Sequence, residues 1–386
     1  MTLYLDYSAT TPPRPEVIDR VQSLLTASWG NPASLHGWGR RAALVLEEAR
    51  LQTAALLNAA DPDSIIFTSG GTEANQLALF GVTRRYDSPQ HLIISSVEHS
   101  AVSEPAQFLA RRGWEVTRLP VDSRGRAAPS DLEATLRPDT VLVSIIYGQS
   151  EVGTLQPIAE LGALTRRRGV LFHTDAVQVA GRLPIDVQSL PVDLLSLSGH
   201  KFYGLQGAGA LYVRPGVELS PFLWGGGQER RLRSGTPALP AIAGLGLAAE
   251  LARRELPKEG ERLRALQNFF YSALAPCPDL KPTGDQVDRL PHHTSFLLPP
   301  PLTGQTLVRD LDAEGIGVSA GAACSSGTLT PSPVLLGMGY SPVEALGGIR
   351  LTFGRSTTEA ELAWAAEVLQ KKLAWRRLAP EQAERN

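Results

Sequence analysis

The sequence predicts an α/β protein: a large domain with a mainly parallel central sheet covered by helices, plus a smaller C-terminal α/β domain. Three observations carry this. At 386 residues the chain is too long for one small core. From Ser64 to Val213, short β-branched or aliphatic runs alternate with helical patterns, as crossovers between parallel strands require. Near Leu256-Pro257 the pattern changes to a charged helical stretch, then a Pro-rich passage.

The strand-like runs cover residues 65–67, 92–95, 115–119, 141–146, 170–173, 194–197 and 208–213. Helices are expected from Ala74, Ala101, Ser130 and Pro157, the last starting on a proline that a first turn tolerates. They should cover both faces of the sheet. A long helix over 259–274 follows, then a stiff loop at Pro299-Pro301 and a last helix from Thr358. The expected division is an N-terminal segment 1–13 packing with the small domain, a large domain 14–257 and a small domain 258–386.

Composition narrows the function classes. A formal net charge of -2 leaves no basic field for nucleic acid or anionic lipid. No apolar run approaches the ~20 residues of a membrane span, since the Ala- and Leu-rich stretch after Pro237 is broken by Glu250. The first residues lack a basic start and carry Asp6, which argues against a secretory signal, so a cytoplasmic location is expected. Two cysteines, Cys277 and Cys324, exclude a disulfide framework. Lysine is scarce: of five, Lys201 is the only one before residue 258. A lone lysine in an arginine-rich chain suggests chemistry closed to guanidinium, which stays charged and forms no imine.

The run TSGGTEAN from Thr68 lies between an expected strand and an expected helix. Backbone N–H groups of Gly70, Gly71 and Thr72 could cradle a phosphate there. A plain turn is the competing reading, and the run alone leaves both open. It is neither a P-loop nor a dinucleotide fingerprint, which makes a nicotinamide dehydrogenase remote. Ser198-Gly199-His200-Lys201 follows another strand, at the sheet edge where α/β folds gather ligands. Asp175, closing the strand before Gln178, could pair with a protonated ring nitrogen or cap a helix. His99 ends a third strand and could stack on a flat ring, relay protons or be structural. Cys324 sits in Ser-Ala-Gly-Ala-Ala-Cys-Ser-Ser-Gly, with few apolar neighbours to bury it, whereas Cys277 lies between two prolines. The nucleophile reading therefore falls on Cys324.

Taken together, LDYSATTP at Leu5, GNPAS at Gly30, TSGGTEAN, EHSAV, HTDAVQ, SGHK, RSGT at Arg233, SAGAACSSG at Ser319 and IRLTFGR at Ile349 run nearly end to end. In order and spacing they resemble the cysteine desulfurases of the NifS/IscS type, in the class V aminotransferase group of fold-type I pyridoxal-phosphate enzymes. The resemblance implies pyridoxal 5'-phosphate as cofactor, with Lys201 bonded to its aldehyde, Asp175 on the pyridine nitrogen, Gln178 on the ring hydroxyl and His99 over the ring. Gly71, Thr72, Ser198 and His200 would hold the phosphate, joined by Thr236 from a second subunit of a homodimer. Arg350 would clamp the carboxylate of L-cysteine, with Asn31 assisting. Sulfur would pass as a persulfide to Cys324, then to an acceptor protein: an iron-sulfur scaffold or a protein of tRNA or cofactor thiolation.

One departure stands out. Where the family usually carries Asn-Asn-Glu-Ile-Gly, this chain reads Gln149-Ser150-Glu151-Val152-Gly153. Serine is shorter than asparagine, so the cofactor or substrate contact expected of position 150 is lost or bridged by water. The alternatives are a selenocysteine lyase or an aminotransferase of the same fold, or a catalytically impaired scaffold relative.

Overall fold

The structure is a computed structural model that describes residues 2–321 and 329–378. Its chain opens with β1 (Leu3–Tyr4), α1 (Pro15–Ala27) and α2 (Gly37–Leu56). Seven strands then form the main sheet: β2 (Ile65–Thr68), β3 (His91–Ser95), β4 (Glu115–Leu119), β5 (Thr140–Ser144), β6 (Leu171–Asp175), β7 (Leu194–Ser198) and β8 (Gly209–Val213). Their order is β2-β8-β7-β6-β5-β3-β4, parallel throughout except for β8, which is antiparallel to both neighbours. Each strand lies within two residues of the run expected for it.

Helices α3 (Gly71–Thr83), α4 (Ser100–Arg111), α5 (Pro129–Thr135) and α6 (Ile158–Arg167) connect the strands. The last begins one residue after the proline expected to start it, because Pro157 serves as the N-cap. Alternation along single strands places helices on both faces. Phe67, Ile93, Val143 and Leu195 belong to one apolar cluster, while Ile66, Leu92, Leu142 and Leu194 belong to another. Successive strand side chains point to opposite faces, so each such pair serves two layers.

The helix expected over 259–274 is much longer. As α7 (Leu239–Leu274) it runs unbroken past Pro257. Proline removes one hydrogen bond of the ladder, yet the preceding turns are anchored: Gly246 lies so close to α2 that a Cβ there would fall 2.5 Å from Ala49 Cα. The first half of α7 packs in the cluster with α2, and the second half, from Leu263, in a separate one. That second cluster surrounds a four-stranded sheet ordered β12-β13-β10-β9, from β9 (Lys281–Pro282), β10 (His293–Leu297), β12 (Ser319–Ala320) and β13 (Gly348–Thr352). α8 (Gly304–Asp312), α9 (Pro333–Gly337) and α10 (Glu359–Leu378) complete this part. Thr358 and Glu361 form a reciprocal cap at the start of α10. The N-terminal residues join it too: β1 pairs with β11 (Ile316–Gly317), and Leu3 and Leu5 are buried in the same cluster.

Candidate active site

Strands β2, β3, β6 and β7 run in the same direction, so their carboxyl ends share one edge of the sheet. At the end of β2 the chain turns into α3, whose N-cap, Gly70, supplies no side-chain cap. The first-turn N–H groups of a helix have no partners within it and carry partial positive charge, which suits an anion. Gly71 permits a close approach. A Cβ at this position would fall 2.7 Å from Val177 Cγ2 and 3.5 Å from Ser198 Cβ, so only glycine brings the helix end against the ends of β6 and β7. Thr72 is exposed at this helix start, and Ser198 is buried beside it.

Asp175 ends β6 and is 4% exposed. Its Oδ1 accepts from Val177 N at 2.9 Å and its Oδ2 from Asn75 Nδ2 at 2.7 Å. Three residues on, Gln178 donates from Nε2 to the Ser8 carbonyl at 2.9 Å, and its buried Oε1 has no partner among the described residues. After β7, a single 3-10 turn (Gly199–Lys201) presents the lysine. Lys201 Nζ donates to the carbonyls of Ser8 at 2.6 Å and Ala9 at 2.7 Å. Burial, followed by the positive fields of Arg350 and Arg182, pushes this ammonium down to about 8. Burial and the Lys201 charge push His200 down to about 4, so its imidazole is neutral; its Nδ1 lies 3.0 Å from Thr10 Oγ1.

Arg350, on β13, faces this edge from the smaller sheet, close enough for its charge to act on Lys201. It is 7% exposed, with Nη2 on Asp6 Oδ1 at 2.8 Å and Nη1 on the Ser150 carbonyl at 3.0 Å. Ser150 joins the site through its backbone carbonyl, a contact that does not depend on its side chain. His99 is exposed at the start of α4, where its Nδ1 accepts from Ala101 N at 3.0 Å. Asn31 is exposed and accepts from Ala33 N within its own turn; no hydrogen bond joins it to Arg350. Thr236 is also exposed. Cys324 lies outside the described residues, and Cys277 packs half-buried against the smaller domain's core.

Several participants have roles that their local sequence does not signal. Asn75, on the buried face of α3, fixes Asp175; a polar residue facing an apolar helix stripe was the available signal. Arg182, fully buried, donates to the carbonyls of Tyr7 and Lys201. Glu98, the residue before His99, is buried, with Oε1 accepting from Ser95 Oγ at 2.5 Å and Ile146 N at 2.8 Å. Burial pushes its carboxyl up to about 8 against those two bonds, and the Asp175 carboxylate adds to the rise.

The arrangement fits pyridoxal phosphate. It offers an uncapped helix start beside a buried serine for the phosphate and a buried acid for the ring nitrogen. The orphaned Gln178 Oε1 can accept from a hydroxyl, and the Lys201 amine, of lowered basicity, can bond an aldehyde.

Comparison with known proteins agrees with the geometry. The aminotransferase class-V family model matches residues 3–364. The cysteine desulfurase IscS of Dictyoglomus turgidum is 44% identical over 372 residues, 96% of this chain and 94% of that protein. Among solved structures, a NifS-like protein superposes with a TM-score of 0.91 at 34% identity, covering 97% of this chain and 100% of the other. SspA in complex with cysteine superposes with a TM-score of 0.81 at 34% identity, covering 91% and 99%.

Proposed function

The chain belongs to the class-V aminotransferases and, within them, to the cysteine desulfurases, and from that premise we propose how its own residues divide the work. The activity is pyridoxal-phosphate-dependent desulfuration: L-cysteine and an enzyme thiol become L-alanine and an enzyme persulfide. The cofactor, when bound, supplies an aldehyde for the substrate amine and a ring that takes up electron density as the α-proton leaves.

Arg350 binds the substrate carboxylate through a planar fork, Lys201 takes the α-proton and returns it to the product, and the Asp175 carboxylate keeps a proton on the ring nitrogen. Gly71, Thr72, Ser198 and His200 hold the phosphate, and Gln178 accepts from the ring hydroxyl. His99 accepts a hydrogen bond at Nδ1, so its neutral ring carries the proton on Nε2, where it can stack on the ring and hand that proton on. Cys324, as thiolate, attacks the substrate sulfur: the S–S bond forms, the Cβ–S bond breaks, and the carbon is reprotonated to alanine. What supports this reading is the one sheet edge shared by the acidified Lys201 amine and the buried Asp175, with the Arg350 guanidinium close by.

Thr236 completes the phosphate site of a second subunit in a homodimer, where exposed apolar side chains such as Trp29, Leu35 and Trp224 become covered. The persulfide passes to an acceptor protein of iron-sulfur cluster assembly or of tRNA or cofactor thiolation, in the cytoplasm. Among the described residues, no helix is long and apolar enough to cross a membrane. The test mixes purified protein with L-cysteine and follows alanine and persulfide together. Equal amounts of both in a first turnover are expected. Alanine release by Cys324→Ala at the wild-type rate would remove Cys324 from the mechanism.

A further inference from the structure

The N-terminal stretch Asp6–Thr10 touches most of the site. Through it Lys201, Gln178, Arg182 and His200 all find partners, and its first residue forms the ion pair with Arg350. That pair joins residues 344 positions apart in sequence, and both side chains are largely buried. A guanidinium has five N–H donors in a fixed plane. Two are engaged: one on Asp6 Oδ1 at 2.8 Å and one on the Ser150 carbonyl at 3.0 Å, which also accepts from His293 Nε2 at 3.0 Å. Arg350 Nε is buried and has no partner among the described residues.

We propose that Asp6 is a positioning residue: with the Ser150 carbonyl, its carboxylate fixes the plane of the Arg350 guanidinium and leaves Nε–H and the second Nη hydrogens for the substrate carboxylate. The inference rests on the reading of Arg350 as the carboxylate clamp. Two anchors on different segments determine the orientation of a planar group, where a single anchor leaves it free to rotate. The Asp6 backbone is held independently of its side chain, since its carbonyl accepts from Ala9 N and the neighbouring Leu5 carbonyl from Thr352 N. The carboxylate is therefore dispensable for the path of the chain and serves the guanidinium.

The experiment uses the holoenzyme and compares Asp6→Ala, Asp6→Asn and Arg350→Ala. KM and kcat for L-cysteine are measured, together with spectral titration by the product L-alanine and the melting temperature. Loss of a charged hydrogen-bond partner in Asp6→Ala is expected to raise KM and the L-alanine Kd about 10-fold while kcat stays within about threefold. Asp6→Asn keeps an acceptor oxygen at the same reach and is expected to restore both constants to within about threefold of the wild type. Should Asp6→Ala not fold, Asp6→Ser, too short to reach Nη2, carries the same expectation. A lower KM in Asp6→Ala would make Asp6 a competitor for the guanidinium and overturn the proposal. Equal damage in the alanine and asparagine variants would do the same, as would a fall in kcat and melting temperature with KM unchanged. Arg350→Ala separates the layers. If it raises KM about 100-fold while Asp6→Ala does not raise it, only the role of Asp6 fails. If it leaves KM alone, the carboxylate reading fails as well.

Discussion

Two regions meet at the site, and they hold their functional groups by different means. At the edge of the main sheet, Asp175, Ser198 and Lys201 stand on or next to strand ends, and main-chain geometry sets where they point. At the junction with the smaller sheet, Arg350 is oriented by a side chain from the N-terminus and a carbonyl from the loop after β5. The first arrangement starts from neighbouring strand ends; the second is assembled from three distant segments. The comparison teaches that chemistry is placed at the strand ends of the main sheet, whereas substrate selection is placed where distant segments converge.

The largest effect should come from the sheet edge. Lys201→Ala removes both the covalent anchor and the proton carrier, and alanine formation from L-cysteine should fall by about 10³-fold or more. Loss of less than tenfold would show that the sheet edge does not carry the chemistry. Asp175→Asn keeps shape and removes charge, with an expected fall in kcat of about 10²-fold and little change in KM. Asn75→Ala tests the layer behind it: without the 2.7 Å bond to Oδ2 the Asp175 carboxylate loses its alignment, and kcat should drop about 10-fold.

The smallest effect concerns stability. Glu98 keeps its proton in the folded protein up to about pH 8, whereas in the unfolded chain it ionises near the ordinary glutamate value of 4.5. Between those values the unfolded state binds fewer protons, so this group makes the fold less stable as pH rises through that window. Glu98→Gln removes the titration. Its melting temperature should fall less than that of the wild type between pH 4.5 and 8, by a few degrees for each kcal/mol. Parallel curves for the two proteins would mean that Glu98 is ionised in the fold.

The same contrast explains what the sequence made legible. Strands were readable because β-branched runs are broken by turns, and Lys201, Asp175 and Ser198 because each lies in a short motif at a strand end. The long α7 was not readable, since Pro257 signals a break that tertiary anchoring through Gly246 overrides. Asn75 stands in TSGGTEAN, yet that motif does not signal its role, because its partner lies 100 residues away. Asp6 stands in LDYSATTP, yet nothing local marks the role of a carboxylate whose partner is brought to it by the pairing of Leu5 with Thr352. Partners set by topology leave no periodicity to read.

The central claim is that the amine of Lys201 is the group that joins the aldehyde. Apoprotein is mixed with pyridoxal phosphate across a pH series, reduced with borohydride and digested, and the modified peptide is identified by mass. The expected result is one adduct on the peptide containing Lys201, with the rate of uptake rising through a midpoint near 8 as the amine loses its proton. An adduct on Lys258, Lys281, Lys371 or Lys372 instead, or a midpoint near the ordinary lysine value of 10.5, would contradict it.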